Sequence, residues 1–210
     1  MMKVLVIDDH GVVRQGIRQI LAETTDIVVG GDASNGADGL VRARNEAWDA
    51  ILLDLALPDN HGLDVLKELR RQQVKAPILV LSMHPEDQFA LRAIRAGASG
   101  YLTKDGAIDE LATAIRTVVG GRHYLSPWLA DRLAREASGE PSKAVHEQLS
   151  DREYQVLMRI ASGKTTKDIA AEFNISPKTV GTYRMRLARK MGLTTDSELT
   201  GYVFRHHLLE

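Results

Sequence analysis

Five side chains in the first half of the chain have types and positions that suit metal and phosphoryl chemistry: Asp8, Asp9, Asp54, Ser82 and Lys104. Each stands at the carboxyl end of a short apolar run or just beyond it. Three gathered carboxylates repel one another unless a cation joins them. Oxygen ligands of this kind suit magnesium, which takes few protein ligands and keeps several waters. A lysine ammonium and a serine hydroxyl nearby can both hydrogen-bond the oxygens of an incoming phosphoryl group. A single strand-end aspartate is most often a cap for the next turn, and a lone lysine is most often solvated. One member at each of four strand ends makes that explanation a poor one for the whole set.

The segments that must position these groups alternate between two kinds. Lys3–Ile7, Ile27–Gly31, Ala50–Leu53, Ile78–Leu81 and Gly100–Leu102 are short runs rich in Val, Ile and Leu, and they read as buried strands. Between them lie helix-period stretches, such as Ile108, Leu111, Ala112, Ile115, Val118 and Val119. Strands alternating with helices predict a doubly wound α/β domain of the flavodoxin-like kind, with a five-stranded parallel sheet. In such a sheet ligands bind outside the carboxyl ends of the strands, which gathers the five side chains into one cleft.

The chain is 210 residues long, enough for two small domains at roughly 150 residues each or fewer. Gly120-Gly121 closes the first part, and Ser126-Pro127 opens a short helix to about Arg135. Ala137–Ser142 is a linker by composition. The expected division is residues 1–121, a connecting segment 122–145, and residues 146–210. The last part reads as helices only. Ser150 and Glu153 form a capping box, with Leu149 and Tyr154 spaced for a hydrophobic staple. Thr165 and Asp168 start a second helix. Ser176-Pro177 starts a third that runs to about Met191, where Gly192 stops it, and Asp196–His207 makes a fourth. A tight turn joining two of these helices suggests a helix-turn-helix.

Formal net charge is -1, from 27 Lys and Arg against 28 Asp and Glu, and taken whole it argues against a nucleic-acid partner. Resolved along the chain, residues 1–125 carry a net -3 and residues 146–210 a net +2. With about 100° per residue on the third helix of the tail, Val180, Leu187 and Met191 form an apolar stripe, with Tyr183 and Arg184 at its margins. Lys178, Thr182, Met185, Arg186 and Arg189 gather on the opposite side, with Gly181 and Lys190 at its edges. An outward face that is basic, small and free of acids suits the DNA major groove. Lys178 and the arginines would contact phosphates, while Thr182 and Met185 sit where base edges or thymine methyls lie. A solvated basic helix is the plainer reading of the same pattern. No cysteine is present, so disulfides and thiolate metal sites are excluded. No secretory core precedes Asp8 and no apolar run approaches the roughly 18 residues of a membrane span. A cytoplasmic protein with no membrane partner is the expectation.

Residues 1–120 resemble a response-regulator receiver domain. The resemblance rests on Val6-Ile7-Asp8-Asp9-His10, Leu53–Pro58, Leu81-Ser82-Met83-His84 and Ala96–Asp105. It implies that Asp54 is the phosphoacceptor, fed by a sensor histidine kinase. It also implies that Asp9, Asp54 and the backbone carbonyl of Ala56 ligate magnesium, with Asp8 acting through water. Ser82, Tyr101 and Lys104 would be the phosphoryl-binding and switching residues. Ser82 stands where threonine is often found, and Asp105 where the family commonly has proline after the lysine. Ala56 has no side chain to orient an attacking water, whereas His84, two residues after Ser82, has one.

Residues 149–192 resemble a LuxR-type helix-turn-helix, through Leu149-Ser150-x-Arg152-Glu153, Ile169-Ala170, Ile175–Val180 and Lys190-Met191-Gly192. Thr166 departs from a usual asparagine, and Gly181-Thr182-Tyr183 from a usual lysine-variable-histidine run. By that resemblance the DNA-binding residues are Lys178, Thr179, Gly181, Thr182, Tyr183, Met185, Arg186, Arg189 and Lys190. The last helix commonly mediates dimerisation, which nominates Leu199, Tyr202 and Val203. From end to end the chain is similar to NarL/FixJ-family response regulators. The implied function is a transcription factor rather than an enzyme, binding double-stranded DNA as a homodimer when Asp54 is phosphorylated. A receiver acting without phosphorylation or through a protein partner is the alternative. A haloacid-dehalogenase-like phosphatase fits poorly, because that family places an acid where Ala56 stands.

Overall fold

The computed structural model describes residues 1–83, 86–104, 107–138, 144–206, 208 and 209. His84, the Lys104–Asp105 bond, residues 139–143 of the linker and His207 lie outside the described residues. The chain forms two compact units, Met1–Leu133 and Ala134–Glu210. Among the described residues no helix is long and apolar enough to cross a membrane.

The first unit runs β1 (Met2–Ile7), α1 (Gly11–Ala22), β2 (Ile27–Ala33), α2 (Gly36–Asn45), β3 (Ala50–Asp54), α3 (Gly62–Arg71), β4 (Ile78–Ser82), α4 (Glu86–Arg95), β5 (Gly100–Thr103) and α5 (Ala107–Val119). The five strands make one parallel sheet in the order β2-β1-β3-β4-β5. This is the flavodoxin-like doubly wound sheet that the strand-helix alternation predicts. Every residue of β3 and β4 is buried, because helices cover both faces of a parallel sheet. Val4, Val6, Leu52, Leu79 and Leu81 join Ile17 and Leu21 of α1 and Leu111 and Ile115 of α5 in one core cluster. Ile7 points to the other face, where α2 packs so closely that a Cβ on Gly39 would lie 2.7 Å from the Ile7 side chain.

Register does the positioning. Ile7 pairs with Leu53, Asp54 with Leu81, and Ser82 with Thr103, so the strands end nearly level. The loop after β3 is folded tightly back. The Gly62 amide donates to the Leu55 carbonyl at 2.8 Å, and Ala56 and His61 form an isolated antiparallel bridge. The Asp59 carboxylate accepts from the Gly36 and Ala37 amides at the start of α2, both at 2.8 Å. Burial works to raise the Asp59 pKa, but these two amides, together with the Asp59 amide and the Asn60 side chain, outweigh it and hold the carboxyl below its usual value.

The second unit holds a short 3-10 turn (Val145–Gln148), α7 (Asp151–Ala161), α8 (Thr166–Glu172), α9 (Pro177–Met191) and α10 (Asp196–Arg205), while α6 (Pro127–Ala137) spans the division between units. The expected capping box at Ser150 is present, Thr165 with Asp168 makes a second where the second tail helix was expected to start, and Thr195 with Glu198 makes a third at the start of α10. Gly192 ends α9 in the left-handed conformation at φ +66, which glycine adopts without penalty. The fourth tail helix ends at Arg205, two residues short of the expected His207, with His206 as its cap.

The connecting segment departs from expectation. Tyr124 donates its amide to the Ser99 carbonyl at 2.9 Å, bridges Gly100 as a parallel partner, and donates its hydroxyl to Glu110 at 2.7 Å. The compact first unit therefore reaches past residue 121, to Leu133. A single bridge has no hydrophobic period, so pattern reading passes over it.

Gly62 tolerates no side chain: a Cβ there would lie 2.2 Å from the Asp54 carbonyl oxygen and 2.6 Å from the Leu55 Cα. Both obstacles are backbone, so Gly62→Ala is expected to destabilise the first unit by roughly 3 kcal/mol, the upper end of the usual overpacking cost. Urea denaturation measures this; an unchanged midpoint would show that the loop gives way without cost.

Candidate functional site

The carboxyl ends of the strands bring together the residues singled out in the first unit. Asp8 follows β1 and Asp54 ends β3, and both are buried at 1% and 2% exposure. Lys104, just after β5, places its Nζ 2.8 Å from Asp8 Oδ2 and 2.9 Å from Asp54 Oδ2. Burial raises the Asp54 carboxyl above the ordinary aspartate value, with Lys104 pulling the other way and Asp8 adding to the rise. Burial would lower the Lys104 ammonium, but Asp8 and Asp54 outweigh it and its pKa is raised. The lysine is thus held charged between two acids. Ser82 ends β4 fully buried, and Tyr101 on β5 is also buried, at 3% exposure. The Ala56 amide hydrogen-bonds to the Asp54 carboxylate.

Two residues join the pocket that the pattern reading did not assign to it. His10 donates its amide to Asp8 Oδ1 at 2.8 Å and sets Nδ1 2.7 Å from Asp9 Oδ1. Arg14, in the first turn of α1, donates Nη1 to the Asp8 carbonyl at 2.7 Å and Nε to Asp32 at 2.8 Å. A cation one turn beyond an acidic pair was the available signal. Its target is a main-chain oxygen, which sequence does not display.

A ligand atom from each of Asp8, Asp9, His10 and Asp54 lies within 4.8 Å of the others. Among the described residues, no aligned hydrogen bond reaches the buried Asp8 Oδ2, Asp9 Oδ1 and Asp54 Oδ2. For Asp8 and Asp54 the Lys104 ammonium is at ion-pair distance without that alignment. Buried carboxylate oxygens with spare lone pairs are the donors that a hard divalent cation takes. The residues therefore fit a metal ion.

In the second unit, α9 buries Val180 and Leu187 and exposes Lys178, Gly181, Met185, Arg186 and Arg189, with Thr179, Thr182 and Tyr183 half-buried. No described residue pairs with the side chains of Lys178, Arg186 or Arg189. Lys190 is different. Its ammonium lies 2.6 Å from Glu153 Oε2, a carboxylate only 4% exposed. It is an internal ion partner and leaves the outward set, because a buried acid must be paired. Arg184 is likewise engaged, with Asp196 at 2.7 Å.

Both halves match known families along the chain. The family described as response regulator receiver domain matches residues 4–116, and bacterial regulatory proteins of the luxR family match residues 147–203. Response regulator GacA of Pseudomonas aeruginosa is 38% identical over 212 residues, covering 100% of this chain and 99% of that protein. The chain is a response regulator of the NarL/FixJ family. Response regulator UvrY of Escherichia coli K12 is 36% identical over 209 residues, covering 99% and 96%. Among solved structures, the RcsB–DNA complex is 25% identical with a TM-score of 0.60, covering 96% of this chain and 97% of that one. The regulator therefore joins a receiver to a LuxR-type DNA-binding domain.

The dimerisation assignment needs correction. Leu199 and Val203 are 1% and 0% exposed inside the regulator's own helical unit. Tyr202 is half-buried, with its hydroxyl 3.1 Å from His146 Nδ1 and its ring stacked on His206 at 4.2 Å. Leu199 and Val203 thus belong to the core of the helical unit, while Tyr202 stays partly open. Phe204, 51% exposed, lies on the other side of the helix.

Burial works to raise the Glu153 pKa, and Lys190 with the Ser150 amide and hydroxyl more than offsets it, so the carboxyl sits below its usual value. A depressed pKa contributes stability that is present above the unfolded value near 4.3 and lost as pH falls through the folded one. Glu153→Gln is expected to cost the second unit roughly 1.5–3 kcal/mol at pH 7 and to flatten its stability profile below about pH 5. Calorimetry at pH 7 and in acid measures both effects; a profile as steep as the wild type's would place the acid sensitivity elsewhere.

Proposed function

We propose that this regulator is a transcription factor switched by phosphorylation of Asp54 from a sensor histidine kinase. The observation that carries the reading is the Lys104 ammonium held between the buried Asp8 and Asp54 carboxylates, on the same chain as a helix with three outward cations that no described residue pairs. An Asp54 carboxylate oxygen attacks the phosphorus of the kinase's phosphohistidine. The P–N bond breaks, an acyl phosphate forms on Asp54, and the departing imidazole nitrogen takes a proton from solvent. Lys104 neutralises the phosphoryl oxygens, a matter of positioning and charge rather than further covalent chemistry. Asp8, Asp9, Asp54 and the Ala56 carbonyl would hold magnesium, which when bound supplies further neutralisation of those oxygens.

Phosphorylation adds anionic charge beside Ser82 and Tyr101. The Ser82 hydroxyl is drawn to the new group and Tyr101 fills the space beside it, which biases the receiver toward its DNA-competent state. Such a bias exists only to the extent that the phosphoryl group interacts differently with the two states. The active form is a homodimer on double-stranded DNA, with Lys178, Arg186 and Arg189 at phosphates and Thr179, Gly181, Thr182, Tyr183 and Met185 facing the groove. The exposed side of α10 around Phe204, rather than Leu199 and Val203, is the surface available for pairing.

With magnesium and a small acyl-phosphate donor, the wild type is expected to gain DNA affinity by roughly 5- to 150-fold, the usual range of allosteric coupling, and Asp54→Asn to gain none. Equal gains in both would remove Asp54 from the mechanism. Arg186→Ala and Arg189→Ala are each expected to reduce the slope of log affinity against log salt by about 1. Lys190→Met should leave that slope alone and lower thermal stability instead. A slope lost with Lys190 and kept with the arginines would reverse the assignment of the cations.

A further inference from the structure

The outward face of α9 has a notch at one edge, at Gly181, that no packing among the described residues explains. Gly181 lies in the helix interior, and a Cβ built there meets no heavy atom within 4 Å. Its φ is not among the positive ones. Neither packing against the described residues nor backbone conformation requires glycine here, yet glycine inside a helix is destabilising relative to alanine. Its four neighbours on the surface, at three- and four-residue spacing, include Lys178 one turn before and Met185 one turn after. Met185 is 67% exposed and offers apolar surface there. Thr182 donates its hydroxyl to the Lys178 carbonyl at 3.1 Å, so its proton is already used. The Gly181 edge of the face is therefore apolar, and Lys178, Arg186 and Arg189 set cations beside it.

Resting on the DNA-binding reading, we propose that this notch is a thymine-methyl site. Bare backbone at Gly181 forms its floor, and Met185 and the Thr182 methyl form its walls. Thymine presents its C5-methyl group in the major groove, and apolar protein surface is the complement to it. A side chain at residue 181 would hold the helix away from the base by its own thickness. In this reading the regulator selects a base pair by shape and apolar contact where a polar side chain would have selected it by hydrogen bonds.

The test uses the full-length protein and a duplex obtained by selection from random sequence. Each thymine is replaced in turn by deoxyuridine, which removes only the methyl group, and affinities are measured for wild type and Gly181→Ala. Wild type should lose about four-fold at one thymine per half-site, the worth of one buried methyl. Gly181→Ala should melt a few degrees higher, bind the selected duplex roughly five-fold or more weakly, and no longer distinguish thymine from uracil there. A wild type indifferent to every deoxyuridine overturns the notch, as does a Gly181→Ala protein that keeps wild-type affinity and discrimination. Uniform weakening by Gly181→Ala without any thymine dependence would mean that the sugar-phosphate backbone makes the close approach, and also overturns it. A wild type that selects no duplex under any phosphorylation condition would instead sink the DNA-binding reading, and the notch with it.

Discussion

The Lys104 ammonium lies 2.8 Å from Asp8 and 2.9 Å from Asp54, and the receiver is arranged around the need to hold these three charges together out of water. Removing ions from water costs several kcal/mol each unless partners are well placed. Here the partners come from three strands that are distant in sequence. A one-residue slip of any strand would turn its terminal side chain to the other face of the sheet. The fully buried β3 and β4 prevent that slip by packing on both faces. The apolar core is thus what keeps a polar site in register, and the site in turn is tolerable only because the register is right.

Much of this was legible because strand and site coincide. Asp8, Asp54, Ser82 and Lys104 each directly follow an apolar run, so locating the strand also locates the side chain. The parallel sheet then brings the strand ends level. The Ser150 capping box and the helix start at Thr165 were equally readable, since their spacing is local. What stayed hidden depends on groups far apart in sequence. Lys190 sits at the edge of a basic helix face by angle alone; its partner Glu153 is 37 residues away, and only the packed structure shows that the ammonium turns inward. Leu199 and Val203 form an apolar stripe, but a stripe does not say whether another helix of the same unit or a second chain covers it. Arg14 serves a carbonyl oxygen, which carries no residue type at all.

The helical unit divides its cations by environment rather than by type. Lys190 and Arg184 answer acids within the unit, while Lys178, Arg186 and Arg189 on the same helix answer none among the described residues. That division explains why the modest +2 of residues 146–210 underrates the attraction for a polyanion. Field at a surface is set by the charges left uncompensated there, and net charge averages over those already spent on folding.

The docking of Tyr124 on Gly100 has a consequence for the sheet itself. β5 is the last strand in the order β2-β1-β3-β4-β5, and Tyr124 takes the Ser99 carbonyl that would otherwise face solvent. An open strand edge is a template for the edge of another molecule. The connecting segment thus covers the start of that edge, at Gly100. A receiver cut at residue 121, where the helix pattern ends, would lose that cover and present a sticky border, while one carried through Leu133 keeps it.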